Sequence, residues 1–397
     1  MKKLFAVSML AVLLAVPGLC GANTLAAAPA GQPSAAVKQQ EGKRMPPPAR
    51  MRRPQMSREE AAERLYKEYG ADKAEIRKLL EAGQSYNELN TAYLYAALSK
   101  TPVSRVLELR EQATWGRVRV QLGMDAGTFA KRNLDYQLNK LPNDGALSRT
   151  AAQKYTRQGY SLADIKRAAV IAVNADKALA EVLPLKTAVK DWNAVEAELG
   201  LAKPADNAGL RGRGQRSGAG FAGLHIRNMT KERALKIFHD DYLFSEEELA
   251  PLYDELGFDG LEDVCLHAYM GRVPLQKIME MRGQYSWERI KYLLGLTPQV
   301  YFDRCVDYQA RRLLERMDIP QEVTKEFMRQ GYAMHHVNTA YLLAAQSGKP
   351  MAEIIVLKTP KNRWSQVAES IGVSAGELRE AQTKISQAFG RHDGKFL

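Results

Sequence analysis

The sequence predicts an all-α protein built by internal duplication. Apolar residues recur at spacings of three and four along most of the 397-residue chain, and alternating β-type patterns are few. The four tryptophans form two pairs, because Trp115 matches Trp287 and Trp192 matches Trp364 after the same offset of 172 residues. We therefore expect two homologous helical lobes, each with two three-helix, tryptophan-centred modules and a bridging helix.

The first residues have the features of a secretory signal. Two lysines precede an apolar run at 4–16, and a Pro-Gly pair then breaks the helix, which predicts a signal peptide over 1–22. We expect cleavage after Ala22, with Ala28 as the alternative. Cys20 follows a bulky leucine where a lipoprotein signal has a small residue, which favours its removal with the signal. This pattern predicts an exported protein that is periplasmic, envelope-associated or secreted.

Two polar segments frame the helical lobes. A basic Pro/Ala-rich tether is predicted at 23–56 and an Arg/Gly-rich linker at 203–228, since neither has enough apolar residues to pack. They delimit lobe 1 at 57–202 and lobe 2 at 229–390, with a tail at 391–397. The net charge of +12 comes mainly from the segments outside the lobes, because residues 1–56 alone hold eight basic residues and one acidic residue. A nucleic-acid-binding fold usually carries its basic residues on the fold itself, so the charge favours other partners.

Each tryptophan starts the same local pattern. Aliphatic residues follow at positions +3 and +7, on the same face of a helix, and a glycine follows at +8. A glycine at this point suits a left-handed helix C-cap. The glycines are Gly123, Gly200, Gly295 and Gly372. The pattern predicts a short amphipathic helix with a defined end in every module.

A module comprises three short helices over about 45 residues. Its first helix follows another glycine, and the four glycines at this position are Gly83, Gly159, Gly257 and Gly331. A longer helical stretch bridges the two modules of each lobe. Two arrangements remain open, a compact bundle and a short superhelical array.

The tryptophans and cysteines each allow two interpretations. The tryptophans are either ligand-stacking platforms or anchors of small cores, and their constant aliphatic neighbours favour core anchors.

Cys265 and Cys305 form either a disulfide or two separate buried thiols. The corresponding first-copy residues are Tyr93 and Asn133, so a bridge is not part of the shared design.

Asp-Tyr-Gln triplets in the two bridging helices are the best candidates for polar patches. They comprise Arg132, Asp135 and Tyr136 in the first copy and Arg304, Asp307 and Tyr308 in the second. Arginine and aspartate at i,i+3 favour a local ion pair, and a pair of equivalent binding patches is the alternative.

Histidine is sparse, and it suggests no metal site. His239 with Asp241, and the pair His335–His336, lack the spacing of known metal ligands and have no equivalents in the first copy. We expect neither a metal nor a cofactor.

The sequence predicts a non-enzymatic helical-repeat interaction protein of the cell envelope or secreted fraction. It contains no nucleophile elbow, phosphate loop or metalloprotease motif. The expected partner is a protein or an anionic envelope polymer. Residues 363–378 resemble the helix-turn-helix of transcription regulators, which implies nucleic-acid binding as the alternative function. If the protein has an unfamiliar activity, the first place to look is near Cys265, His267 or His335, where the copies differ.

Overall fold

A computed structural model of the chain describes residues 56–143, 147–201 and 230–389. These residues form twenty α-helices and no β-strand, which confirms the all-α prediction. Within them, no helix combines the length and apolar character needed to cross a membrane. The predicted signal peptide, linker and tail, and all but the last residue of the tether, lie outside the described residues.

The chain divides into two compact units between Ala97 and Leu98. The first unit holds α1 (Arg58–Tyr69), α2 (Lys73–Glu81) and most of α3 (Tyr86–Ser99). The Tyr69 ring stacks on that of Tyr93 at 5.8 Å, and the Tyr69 hydroxyl donates to Asn90 Oδ1 at 3.0 Å. These contacts fasten α1 to α3 within this unit.

The second unit begins with the rest of lobe 1. Its helices are α4 (Val103–Gln112), α5 (Trp115–Gln121), α6 (Ala126–Asn139), α7 (Arg149–Thr156), α8 (Leu162–Asn174), α9 (Leu179–Val182), a 3₁₀ turn (Leu183–Leu185) and α10 (Trp192–Glu198).

Lobe 2 supplies the remaining helices. They are α11 (Lys231–Tyr242), α12 (Glu246–Gly271), α13 (Leu275–Arg282), α14 (Trp287–Leu293), α15 (Pro298–Met317), α16 (Gln321–Arg329), α17 (Met334–Ser347), α18 (Met351–Leu357), α19 (Trp364–Ser370) and α20 (Ala375–Phe389). Gly257 has φ +67° and divides α12 into two helical parts. The order of α11–α19 repeats that of lobe 1, and the residues that correspond to α20, 203–217, lie outside the described residues. The homology of the lobes and their boundaries stay predictions.

The four tryptophan helices share one ending. Each is seven residues long and begins at its tryptophan. The glycine at +8 has a left-handed backbone in all four, with φ of 70° at Gly123, 73° at Gly200, 67° at Gly295 and 82° at Gly372. The next residue then donates to the carbonyl five residues earlier, as Met124 does to Arg119 at 3.1 Å. This Schellman motif satisfies carbonyls that the helix end leaves without intrahelical partners.

The tryptophans pack against hydrophobic clusters to different depths. Trp192 is buried in a cluster with Ile165 and Val195, and its Nε1 donates to Asp164 Oδ1 at 2.9 Å. Trp287 and Trp364 lie half-buried at the edges of two lobe 2 clusters. Trp115 is also half-buried, with the Arg110 guanidinium 5.0 Å from its ring.

The two copies contact each other reciprocally within the second unit. Arg117 lies over the Tyr332 ring at 4.5 Å, and Arg289 lies over the Tyr160 ring at the same distance. Arg289 is the residue 172 positions after Arg117, and Tyr332 is the residue 172 positions after Tyr160. The contact therefore occurs twice with the roles of the copies exchanged, as at the isologous interface of a two-fold dimer.

Helices α6 and α15, which occupy corresponding positions, meet at the centre of this interface. The Gly127 amide donates to Gln299 Oε1 at 3.1 Å, and these two residues are themselves 172 positions apart. Ala126 packs in one apolar cluster with Phe302 and Val306. A contact between equivalent positions marks a local two-fold axis, which passes between α6 and α15.

Replacing Gly331 with alanine tests this interface. An alanine Cβ there would lie 2.5 Å from the Arg117 Cα, a backbone atom that cannot move away cheaply. Gly200→Ala is the control, because its φ is also positive but nothing lies within 4 Å of the new Cβ. We expect the control to lose about 1–2 kcal/mol of unfolding free energy from left-handed strain alone, and Gly331→Ala to lose at least twice as much. Urea unfolding measures both, and equal losses would contradict close packing at Gly331.

Candidate functional site

An open cleft lies between the C-terminal end of α15, α17 and α20. Its volume is about 660 Å³. The apolar lining residues are Leu314, Met317, Leu342 and Ala388, and the polar ones are Glu315, Arg316, Asp318, Lys384 and Gln387. The lining offers apolar contact surface and charged groups of both signs.

The cleft lies where the copies differ. Helix α15 has 20 residues, whereas α6, at the corresponding position in lobe 1, has 14. The additional turns carry Leu314, Arg316 and Met317 into the cleft wall. The opposite wall comes from α20, which follows the last tryptophan module.

A buried carboxylate holds the α15 wall in place. Asp241, near the end of α11, forms an ion pair with Arg312, whose Nε lies 3.0 Å from Oδ1 and whose Nη2 donates to Oδ2 at 3.4 Å. Arg316 Nη2 donates to Oδ1. The exposed fractions are 1% for Arg312 and 7% for Asp241. Burying these charges costs desolvation free energy, so the pair contributes more to a defined geometry than to net stability. Arg312 and Arg316 correspond to Lys140 and Asp144 in lobe 1, so the two arginines are not repeated there.

Further contacts fix the arginines of α15. The Phe389 ring lies 5.6 Å from the Arg312 guanidinium and 5.5 Å from that of Arg316. Arg311 donates to the main-chain carbonyls of Asp240, at 3.3 Å, and Asp241. These bonds satisfy carbonyls at the C-terminus of α11, where cations are favoured by the helix dipole.

The rim of the cleft carries both signs of charge around its apolar floor. Glu315 pairs with Arg311 at 2.8 Å, and Lys384 pairs with Glu380 at 3.1 Å. Arg316 and Asp318 complete the charged rim. This arrangement suits an amphipathic segment with both signs of charge better than a uniformly anionic polymer.

The predicted polar patches have a different arrangement from the one expected. Arg132 Nη1 donates to the Leu98 carbonyl at 3.2 Å, and Arg304 donates to the Met270 carbonyl, which is the corresponding atom of lobe 2. Both arginines thus satisfy carbonyls in a helix end. Among the described ion pairs, neither of the local pairs predicted with Asp135 and Asp307 is present.

The remaining patch residues do not form two equivalent surfaces. Asp307 pairs with Lys325 at 3.2 Å. Tyr308 is buried and stacks on Tyr242 at 5.7 Å, whereas Tyr136 is half-buried beneath the Lys140 ammonium at 4.5 Å. Tyr308 of the second triplet therefore belongs to the hydrophobic core, whereas Tyr136 of the first does not.

The two cysteines are free thiols, which is the second of the two alternatives that the sequence leaves open. Both lie in the hydrophobic cluster of α12–α14, with Cys265 fully buried and Cys305 at its edge. Burial raises the pKa of Cys305 to about 12 and that of Cys265 further. Thiols with such pKa values stay protonated at neutral pH and are poor nucleophiles.

The histidines near these positions have structural contacts. His267 stacks on Trp287 at 4.2 Å and donates from Nδ1 to the Asp263 carbonyl at 2.7 Å. Burial lowers its pKa to about 4. His239 Nδ1 donates to the Phe244 carbonyl at 2.8 Å, away from the ion pair of Asp241. The described part of the chain brings no three His, Cys, Asp or Glu side chains together as metal ligands.

Helices α19 and α20 form a helix-turn-helix in the geometric sense, with Gly372 at the turn. The residues of α20 that face the core are Leu378, Ala381, Ile385 and Phe389. Its exposed face carries Glu377 and Glu380 as well as Arg379 and Lys384. A recognition helix approaches phosphates and base edges, where these carboxylates would be repelled.

No protein-family model matches the chain, and a search of curated proteins finds no similar sequence.

The Asp241–Arg312–Arg316 group is the main feature that sequence reasoning does not find. Arg312 and Arg316 are four residues apart, so they share one helix face, and their first-copy positions hold Lys140 and Asp144. This departure from the repeat is readable in the sequence. The carboxylate partner of these arginines cannot be identified from the sequence, because Asp241 lies 71 residues before Arg312. In the sequence, Asp241 is considered only together with His239, as a possible metal ligand.

Removing the charge of Asp241 tests its role. Asp241→Asn should lower the unfolding free energy by about 3 kcal/mol, since it leaves the buried Arg312 guanidinium without its counter-charge. The control is Glu59→Gln, which breaks an exposed pair with Arg77 and should leave the unfolding free energy almost unchanged, because water screens this pair. Chemical denaturation at pH 7 compares them, and a loss for Asp241→Asn no larger than the control's would contradict the assigned anchor.

Proposed function

We propose that the protein is an exported, non-enzymatic interaction protein that binds a protein partner through the α15/α17/α20 cleft. The observation that carries this proposal is the location of the cleft. The residues that repeat between the copies build helix ends and the contact between the copies, whereas the cleft and its buried anchor use lobe 2 residues that do not repeat. Residues that differ between the copies are not required for the common packing, so they can be specific for one partner.

The partner that fits is an amphipathic segment of another protein. Leu314, one of the apolar residues that line the cleft, is substantially exposed, so a partner can cover its apolar surface. Charged residues of both signs surround this floor, so a segment with apolar residues flanked by Lys or Arg and by Asp or Glu would complement it. Rim charges of this kind contribute mainly to specificity and association rate.

The basic segments have a separate role in this proposal. Residues 23–56 and 203–228 carry the excess positive charge of the chain, and we infer that they hold the protein near anionic envelope material. Attraction of this kind is non-specific and is screened by salt. In this proposal the cleft selects the partner, and the two basic segments retain the protein at the envelope.

Substituting Leu314 tests the cleft. Leu314→Glu places a charge on the apolar floor and should abolish co-purification of a partner from native envelopes. Val173→Glu on α8 is the matched control, because Val173 is also exposed but lies outside the cleft. A partner retained by the control and lost with Leu314→Glu supports the proposal, and equal recovery with both variants contradicts it.

Deleting residues 28–56 tests the tether. The deletion should release the protein from isolated envelopes at moderate salt, because it removes most of the positive charge that we expect to attract anionic envelope material. The measurement is the fraction of protein in the supernatant across a salt series. Unchanged retention at every salt concentration would count against the tether. N-terminal sequencing of an exported product starting near Asn23 would contradict the nucleic-acid-binding alternative.

A further inference from the structure

Helix α4 of lobe 1 contacts the last tryptophan module, which belongs to lobe 2. We call this contact the second-copy junction. Glu111 on α4 pairs with Lys361, in the loop after α18, at 3.3 Å. Lys358 begins this loop, and its ammonium donates to the Thr359 and Asn362 carbonyls at 2.7 Å each. Burial, together with the positive charge of Arg110 on α4, lowers the pKa of Lys358.

Two adjacent histidines lie behind this loop at the start of α17. The rings of His335 and His336 are 4.0 Å apart, and His336 is 5.9 Å from the Trp364 ring. His336 is only 9% exposed. Within the described residues, the Nδ1 atoms of both histidines and Nε1 of Trp364 are buried without a hydrogen-bond partner.

The corresponding place in lobe 1, the first-copy junction, holds a carboxylate. Asp164 is 172 positions before His336, and Trp192 is 172 positions before Trp364. Asp164 accepts from Trp192 Nε1 at 2.9 Å and from the Ser161 hydroxyl at 2.8 Å. The loop that follows α9 meets α13 there, where the Ala188 amide donates to the Tyr285 carbonyl at 2.8 Å. One copy thus has a carboxylate acceptor where the other has an imidazole.

The surroundings of His336 supply positive charge. The charged groups that act on it are His335 and Lys358, and Lys358 also acts on His335. The carboxylates on the helices packed against α17 have other contacts or are exposed: Glu322 pairs with Lys325, Glu326 bonds Gln330, Glu377 bonds Ser374, Glu380 pairs with Lys384, and Glu353 is exposed. A proton taken up by His336 would therefore lack a counter-charge.

We propose that the second-copy junction is an acid-operated switch, in which protonation of His336 opens the contact between α17–α19 and α4 while the first-copy junction stays closed. The contact opens because a buried imidazolium close to the His335 ring and the Lys358 ammonium has no carboxylate to pair with. Opening exposes the imidazole to water, where its charge is solvated.

The direction of the pH dependence follows from the two states. Burial, with His335 and Lys358, lowers the pKa of His336 from 6.5 to about 3 in the closed state. The open state then binds more protons at every pH between these values, so closure weakens as the pH falls through 6.5. Between pH 7 and pH 5, the opening equilibrium should rise about 25-fold from His336 alone.

Hydrogen–deuterium exchange of the full chain tests the switch. After correction for intrinsic exchange, protection of α17 and α18 should fall about 25-fold from pH 7 to pH 5, and protection of α8 and α10 should stay unchanged. His336→Asp restores the carboxylate of the first copy and should remove the difference. His336→Asn, which cannot titrate, should do the same if the aspartate variant folds poorly.

A second histidine provides the control. His267→Asn keeps a donor for the Asp263 carbonyl and removes another buried titratable ring, but it lies in a different cluster. It should leave the acid response of α17 and α18 intact. An equal loss of protection in both copies, or a loss that persists in His336→Asp and His336→Asn, overturns the proposal.

Discussion

The reciprocal packing of the two copies is the constraint on which the second compact unit depends. Helices α6 and α15 meet at a local two-fold axis through the bond between Gly127 and Gln299. On either side, an arginine of one copy covers a tyrosine of the other. Such an interface buries the same surface twice, so each residue that fits it is needed at two positions in the chain. This explains why Gly159 and Gly331 both lie against the opposite copy, with no room for a side chain.

With the shared residues committed to this packing, the differences between the copies become informative. In lobe 2, α15 is longer than α6 and carries two arginines that pair with Asp241, and α15 and α20 form walls of the cleft. Lobe 2 also has His336 where lobe 1 has Asp164, so an imidazole takes the place of a carboxylate next to the tryptophan. A duplicated chain can vary one copy in this way while the other continues to stabilise the common interface. Both proposals, partner binding and the pH response, therefore concern residues of lobe 2.

Much of the local structure could be predicted because it depends on short-range spacing. The glycine eight residues after each tryptophan ends a helix in all four modules, as a left-handed C-cap requires. Contacts across the fold could not be predicted in the same way. The helical spacing pairs Arg132 and Arg304 with aspartates three residues away, whereas both arginines bond carbonyls 34 residues earlier. The cleft and the Asp241 anchor depend on chain segments whose proximity no periodicity reveals. The cysteine count likewise allows a disulfide but does not indicate that Cys265 and Cys305 remain free thiols within one apolar cluster.

The most direct measurement of the reciprocal interface is to cut the chain between the copies. A recognition sequence for a site-specific protease, inserted after Arg213 in the predicted linker, allows the folded protein to be cleaved and then passed over a gel-filtration column at neutral pH. If the copies are held together by their reciprocal interface, both fragments elute together at the volume of the uncut chain. If the two fragments elute separately, each at its own size, the interface does not hold the unit together, and its role as the central constraint of the fold is contradicted.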